Sequence, residues 1–291
     1  MLRLEGKDRM KGSTISMIIR TTAKDLNLTQ RTHIMGILNV TPDSFSDGGS
    51  YTTIDKAVRQ AVQMAGDGAD IIDVGGESTR PGHVPISGEE EISRIVPVIK
   101  AIKEKINILI SVDTFKSGTA EAAIEAGADM INDIWGAKKD PEIAEIAAKR
   151  HVPIILMHNR NNEDYEDLIE DMIKDLEESI KIAHDAGVPD EDIILDPGIG
   201  FAKSRKDDLE VMRHLEKLTT LKYPLLLAAS RKRMIGSVLG TPPAERDLGT
   251  GATTCLGIAK GVHIVRVHDV KLNAELAKMT DAMLGKGEYH G

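Results

Sequence analysis

Gly68-Ala69-Asp70-Ile71-Ile72-Asp73 is the stretch on which the fold turns. It opens on a glycine able to end a helix, enters apolar residues suited to a strand, and stops on a polar side chain. Gly127-Ala128-Asp129-Met130-Ile131-Asn132 and Gly261-Val262-His263-Ile264-Val265-Arg266 repeat the pattern. Working outward, short apolar runs fall at 34–38, 71–72, 108–112, 130–131, 152–157, 193–195, 225–229 and 263–265. Continuous apolar runs bounded by turns suit parallel strands buried on both faces.

Amphipathic stretches separate these runs. Ile54, Ala57, Val58, Ala61, Val62 and Ala65 share one helical face, and Leu168, Met172, Leu176 and Ile180 keep a spacing of four. Ser87 to Glu90 has the form of a capping box. Eight βα units without a Pro- or Ser-rich linker predict one α/β domain, a TIM (β/α)8 barrel over residues 34–285. A doubly wound open sheet is the alternative, since periodicity alone does not separate the two. Residues 1–33 form a short N-terminal extension, either a hairpin closing the N-terminal end of the barrel or a partly disordered segment. Residues 286–291 form a tail.

Composition excludes several classes. The 291 residues carry a net charge of −9, which argues against generic binding to nucleic acid or an anionic membrane. Three Phe, four Tyr and one Trp require an aliphatic core. A single cysteine, Cys255, excludes an internal disulfide framework and a cysteine-based zinc site. No run of about 18 apolar residues suggests a membrane span, and the first residues lack the apolar region of a signal peptide. A cytoplasmic protein is expected.

The residues that follow the apolar runs are Asn39, Asp73, Asp113, Asn132, His158, Asp196, Ser230 and Arg266, all polar. In a TIM barrel that end is the active-site face. Turn formation accounts for some of them, but not for Arg266 and His268, which point to the same side of one strand. Four loops stand out. Residues 39–50 mix Pro, paired Gly, hydroxyls and Phe45, as a closing lid would. Residues 75–82 pair glycines with Thr79 and Arg80, able to meet an anion. Asp196-Pro197-Gly198-Ile199-Gly200-Phe201 lacks the third glycine of a dinucleotide loop; Asp196 better serves to accept two N–H donors from a planar heterocycle. Ser230-Arg231-Lys232-Arg233 sets three cations at a helix start, where something negative must offset the helix dipole.

Other residues have ordinary readings. Cys255 is expected to be a buried small hydrophobe. His33, His151, His184, His214 and His290 are expected at the surface, and His158 as pocket wall or structural residue. Met172, Met212, Met234, Met279 and Met283 are core candidates.

Taken together, Met35 to Gly49, Asp73 to Gly82, Ser111-Val112-Asp113-Thr114, Ile131-Asn132-Asp133, Asp196 to Phe201, Ser230-Arg231-Lys232 and Arg266-Val267-His268-Asp269 resemble the signatures of the dihydropteroate synthase family. The resemblance runs from about residue 32 to 285, in order. It implies a TIM barrel, usually a homodimer. It also implies the joining of 4-aminobenzoate to (7,8-dihydropterin-6-yl)methyl diphosphate with Mg2+, diphosphate leaving before the amine attacks. On the same basis Asn39 takes the metal-linked position, and Asp113, Asn132, Asp196 and Lys232 the pterin pocket. Thr79, Arg266, Val267 and His268 take the diphosphate and anion positions. Phe45, Asp47, Ser78, Arg80, Pro81 and Phe201 lie near the aminobenzoate, and Asp113, Lys232, Arg266 and His268 are the implied catalytic set. Where many members carry Ser after the lysine, this chain has Arg233, whose guanidinium faces the aminobenzoate carboxylate or solvent. A pterin-binding methyltransferase would share the barrel but would not need Arg266, His268 or the Ser230-Arg231-Lys232 run. A non-catalytic paralogue would have lost parts of the loops.

Overall fold

The computed structural model describes residues 17–21, 23–41, 50–77 and 85–287. Two short strands come first, β1 (Ile18–Ile19) and β2 (Leu26–Asn27), paired antiparallel. Eight parallel strands follow: β3 (His33–Asn39), β4 (Ile71–Gly75), β5 (Leu109–Asp113), β6 (Met130–Asp133), β7 (Ile154–Met157), β8 (Ile193–Asp196), β9 (Leu226–Leu227) and β10 (Ile264–Val267). They run in the order β8-β7-β6-β5-β4-β3-β10-β9, and a parallel bridge from Leu195 to Leu225 joins the two ends into a barrel. The open-sheet alternative is thereby excluded.

The connecting helices are α1 (Ser50–Gly66), α2 (Gly88–Lys105), α3 (Ser117–Glu125), α4 (Glu142–Arg150), α5 (Leu168–Asp185), α6 (Arg205–Arg213), α7 (Leu215–Leu218), α8 (Arg233–Leu239), α9 (Asp247–Ala259) and α10 (Val270–Met283). Ser87 caps α2, its hydroxyl accepting the Glu90 N–H at 3.1 Å. Gly68, Gly127 and Gly261 adopt φ of +105°, +110° and +95°, the left-handed turn that the repeat foretold.

Residues i and i+2 of a strand share a face, and this sorts the barrel interior into layers. At the base each strand contributes one apolar residue: Met35, Ile71, Leu109, Met130, Ile155, Ile194, Leu226 and Ile264. Ile19, Leu26 and Leu28 of the β1–β2 pair pack into the same cluster from beneath. The opposite strand faces make a second, larger cluster with the helices.

Four residues depart from their expected burial. His33 is 4% exposed, with Nδ1 3.2 Å from Asp70 Oδ2. Met279 and Met283 are 59% and 68% exposed on α10. The helical spacing of these two is genuine, but the described residues leave that face of α10 uncovered. Cys255 is only half-buried.

Candidate active site

Above the apolar floor, moving two residues along several strands changes the chemistry. Ile71 gives way to Asp73, Met130 to Asn132, Ile194 to Asp196 and Ile264 to Arg266. The pleat that buries one residue at the base therefore aims a polar one into the mouth.

Arg266 organises these groups. Its Nε donates to Asp73 Oδ2 at 2.5 Å and its Nη2 to Asp113 Oδ2 at 2.6 Å. Asn132 Nδ2 donates to the same Asp73 oxygen at 3.1 Å. Burial works against the Arg266 charge, but Asp73 and Asp113 outweigh it and hold its pKa above the usual value. Burial pushes the Asp113 carboxyl up to about 7, although Arg266 opposes the shift. Asp73 Oδ1, Asp113 Oδ1 and Ser111 Oγ are buried without a hydrogen-bond partner among the described residues. Unpaired buried oxygens are costly, and a cluster of them at a barrel mouth marks where a donor-bearing ligand would lie.

Asp196, buried at the end of β8, accepts the Gly198 N–H at 2.7 Å; burial raises its pKa. Lys232 approaches from the β9 side. Its Nζ donates to the Ile199 carbonyl and lies 4.4 Å from the Phe201 ring centre. Burial brings its pKa down to about 8, with Asp196 pulling the other way. Ser230 Oγ accepts the His268 N–H at 3.1 Å and sits 2.8 Å from His268 Nδ1, fixing that ring. Ser230 is thus engaged with β10 and does not cap α8, whose N-cap is Lys232.

A cleft of about 1150 Å³ opens beside these groups. Asp113, Phe115, Trp135, Phe201, Lys203 and Arg233 are among its walls. Two of the three Phe residues and the single Trp of this aromatic-poor chain therefore face one cavity. At its edge Lys116 bridges Glu77 and Glu91, 2.8 Å from the latter.

The mouth thus assembles Asp113, Asn132, Asp196, Phe201, Lys232, Arg266 and His268, with Asn39 at the end of β3. Arg231 is turned away: it makes a bidentate pair with Asp247, 2.7 Å for each bond, so Asp247 is the negative group that offsets the cationic run. The Val267 side chain points out of the barrel into the strand–helix layer. Phe45, Asp47, Ser78, Thr79, Arg80 and Pro81 lie outside the described residues, as does most of the loops 39–50 and 75–82. Asp73 was visible as a strand-end residue but not singled out for the site. Its signals in the sequence are its place in the eight-residue polar set and at the head of the Asp73 to Gly82 stretch.

The chain matches the pterin binding enzyme family over residues 35–268. It is 58% identical over 275 residues to a dihydropteroate synthase of Bacillus subtilis, covering 94% of this chain and 96% of that one. A dihydropteroate synthase of Clostridium beijerinckii is 59% identical, over 90% of this chain and 98% of that one. This chain belongs to the dihydropteroate synthase family. Solved dihydropteroate synthases share its architecture. The Xanthomonas albilineans enzyme with 4-aminobenzoic acid superposes with a TM-score of 0.88 at 39% identity, over 92% of this chain and 98% of that one. The same enzyme with 7,8-dihydropteroate gives 0.85 at 37%, with the same coverage of both chains. As in other dihydropteroate synthases, the chain is a TIM-barrel enzyme.

Proposed function

We propose that this dihydropteroate synthase runs its reaction across the barrel mouth, with the pterin deep and 4-aminobenzoate in the outer cleft. The C–O bond between the pterin methylene and diphosphate breaks, the amine nitrogen of 4-aminobenzoate forms the new C–N bond, and the amine proton passes to solvent. The observation that carries the residue roles is Asp113: buried in the cleft wall, one oxygen held by Arg266 and the other unpartnered among the described residues.

Asp196 accepts the amino group and ring N–H of the pterin as a pair, while Lys232 donates to the ring carbonyl and nitrogen. Asn132 adds an amide contact. Asp113, close to the departing methylene, stabilises cationic character as diphosphate leaves. Arg266, His268 and Thr79 receive the negative charge of the leaving group. Phe201 and Arg233, with the loop residues Phe45, Asp47, Ser78, Arg80 and Pro81, surround the aminobenzoate. A closed pair of loops keeps water from the cation. Since sulfonamides mimic 4-aminobenzoate, they would compete for this outer position.

Mg2+ fits this arrangement in a limited way. Among the described residues no group of three His, Cys, Asp or Glu side chains could hold a metal. Asn39 offers one neutral oxygen, which suits an ion held mainly by substrate phosphates and water. When bound, the ion would offset diphosphate charge.

A homodimer is supported by the exposed apolar side chains of three adjoining helices. Val238 and Leu239 lie on α8, Leu248 and Leu256 on α9, and Met279, Met283 and Leu284 on or just after α10. They are seven of the eight exposed large hydrophobic residues among those described, a concentration typical of an interface. No helix among the described residues is long and apolar enough to cross a membrane. Cytoplasmic synthesis is the location we propose.

The decisive assay supplies the pterin diphosphate, 4-aminobenzoate and Mg2+ to purified protein and follows diphosphate and dihydropteroate. Both products are expected; full pterin binding with no product would overturn the catalytic reading. Lys232→Ala and Asp196→Ala are each expected to abolish pterin binding, and unchanged affinity in either would refute the pocket assignment.

A further inference from the structure

The loop after β8 is held by a buried lysine that the reaction scheme does not use. Lys203 is 6% exposed, and its Nζ makes three contacts: to the Gly198 carbonyl at 3.1 Å, the Phe201 carbonyl at 3.0 Å and His158 Nδ1 at 2.8 Å. An ammonium has three donors, so all are spent on this loop and its support. His158 is fully buried, and burial holds its pKa down at about 4, so the ring is neutral. Accepting at Nδ1, it must carry its proton on Nε2, which faces Asp175 Oδ2 at 2.9 Å. Arg160 Nε donates to the same Asp175 oxygen, and its guanidinium stacks on Tyr165, 4.5 Å from the ring centre. Tyr165 closes the circuit by donating its hydroxyl to the Ala202 carbonyl at 2.7 Å.

The loop needs such support. Gly198, Gly200 and Ala202 adopt φ of +66°, +81° and +45°, the left-handed region in which Ala202 is strained. A Cβ on Gly198 would lie 2.0 Å from the His158 carbonyl oxygen, so the loop is pressed against the β7–α5 connection. Its front side faces Lys232, which takes the intervening Ile199 carbonyl. Two lysine amines thus hold three carbonyls of this loop, those of Gly198, Ile199 and Phe201.

We propose that Lys203 is a positioning residue, fixing the loop that presents Asp196 and Phe201 to the pterin, with His158 and Asp175 holding Lys203 in turn. The proposal rests on the reading of Asp196 as a pterin contact. Burial lowers the Lys203 pKa to about 7, with Asp208 and Asp196 favouring its charge and Lys232 opposing it; its direct partners are two carbonyls and a neutral imidazole, so removal of the amine leaves no ion-pair partner behind.

The test is titration of the intact protein with 6-hydroxymethylpterin, comparing Lys203→Met, Asp175→Asn and Asp196→Ala with the parent. Lys203→Met keeps the stem length and removes every donor. It is expected to raise the pterin Kd about tenfold or more, at undiminished binding stoichiometry. Turnover at saturating substrate is expected to stay within a few-fold, because Asp113, Arg266 and His268 stand on other strands. Asp175→Asn, at the far end of the chain of contacts, shifts Kd the same way by less and covers the case in which Lys203→Met does not fold. A lowered stoichiometry at unchanged Kd would show a structural role only and overturn the proposal. Unchanged affinity in both Lys203→Met and Asp175→Asn, with Asp196→Ala impaired, would sink the proposal alone. Unchanged affinity in Asp196→Ala would instead sink the pocket reading beneath it.

Discussion

Arg266 Nη2 lies 2.6 Å from Asp113 Oδ2, so a cation on β10 closes over a carboxylate on β5, with β3 and β4 between them. The same guanidinium holds Asp73 on β4. One guanidinium thus pairs with two carboxyl groups whose other oxygens have no hydrogen-bond partner among the described residues. On the proposed reading, diphosphate would draw on the same guanidinium as it leaves.

Arg266→Ala removes that shared cation and leaves two buried carboxyl groups side by side, one of which takes up a proton. The expected loss in turnover is about 10²–10³-fold, measured as steady-state diphosphate release. A rate near that of the parent would show that Arg266 serves only the resting state.

The pH profile follows from two opposed groups. In the proposed role Asp113 works as a carboxylate, so with its pKa raised to about 7 activity is expected to rise as pH rises through that value. In the proposed role Lys232 works as an ammonium, so with its pKa lowered to about 8 activity is expected to fall above that value. A narrow bell in kcat/KM is expected between these limits. Asp113→Asn should remove the acid limb from the residual activity, and Lys232→Arg should carry the alkaline limb upward, since a guanidinium keeps its proton. A flat profile from pH 6 to 9 would contradict both assignments.

Arg233 is exposed at the cleft rim, within reach of a carboxylate that enters from outside. Arg233→Ala should raise KM for 4-aminobenzoate while leaving the pterin KM nearly unchanged. Equal values for both substrates in parent and variant would place this side chain in solvent.

Ile19 tests the base of the barrel. It is fully buried in the floor cluster beneath the strands, far along the strands from the mouth. Ile19→Ala should cost about 2–5 kcal/mol of stability, read by denaturant unfolding, with kcat of the folded enzyme retained. A loss of kcat without a loss of stability would tie the β1–β2 pair to catalysis instead.

The exposed apolar face of α8, α9 and α10 gives a test of assembly. Light scattering should find the parent as a dimer and Leu248→Asp with Met279→Asp as a monomer. A parent that runs as a monomer at all concentrations would remove the homodimer reading.

Much of this was legible in the linear sequence because it depends on near neighbours. Glycines such as Gly68, Gly127 and Gly261 set the helix-to-strand turns, and the apolar runs marked all eight barrel strands. The polar residue that closes each run, together with the family resemblance, is why Asp113, Asn132, Asp196 and Arg266 could be named from the sequence. What the sequence could not settle was which residues meet across strands. Only the closed barrel brings Arg266 to Asp73 and Asp113, across up to 193 positions of chain. Closure likewise turns Arg231 out to Asp247, buries His33 against Asp70 and leaves Met279 and Met283 without cover. Lys203 stood in plain sight beside Phe201, but its meaning depends on His158, 45 positions earlier. Local pattern fixes which way a side chain leaves its own strand or helix. The partner waiting there is chosen by the packing of distant segments, and the charge each buried group carries depends on that partner.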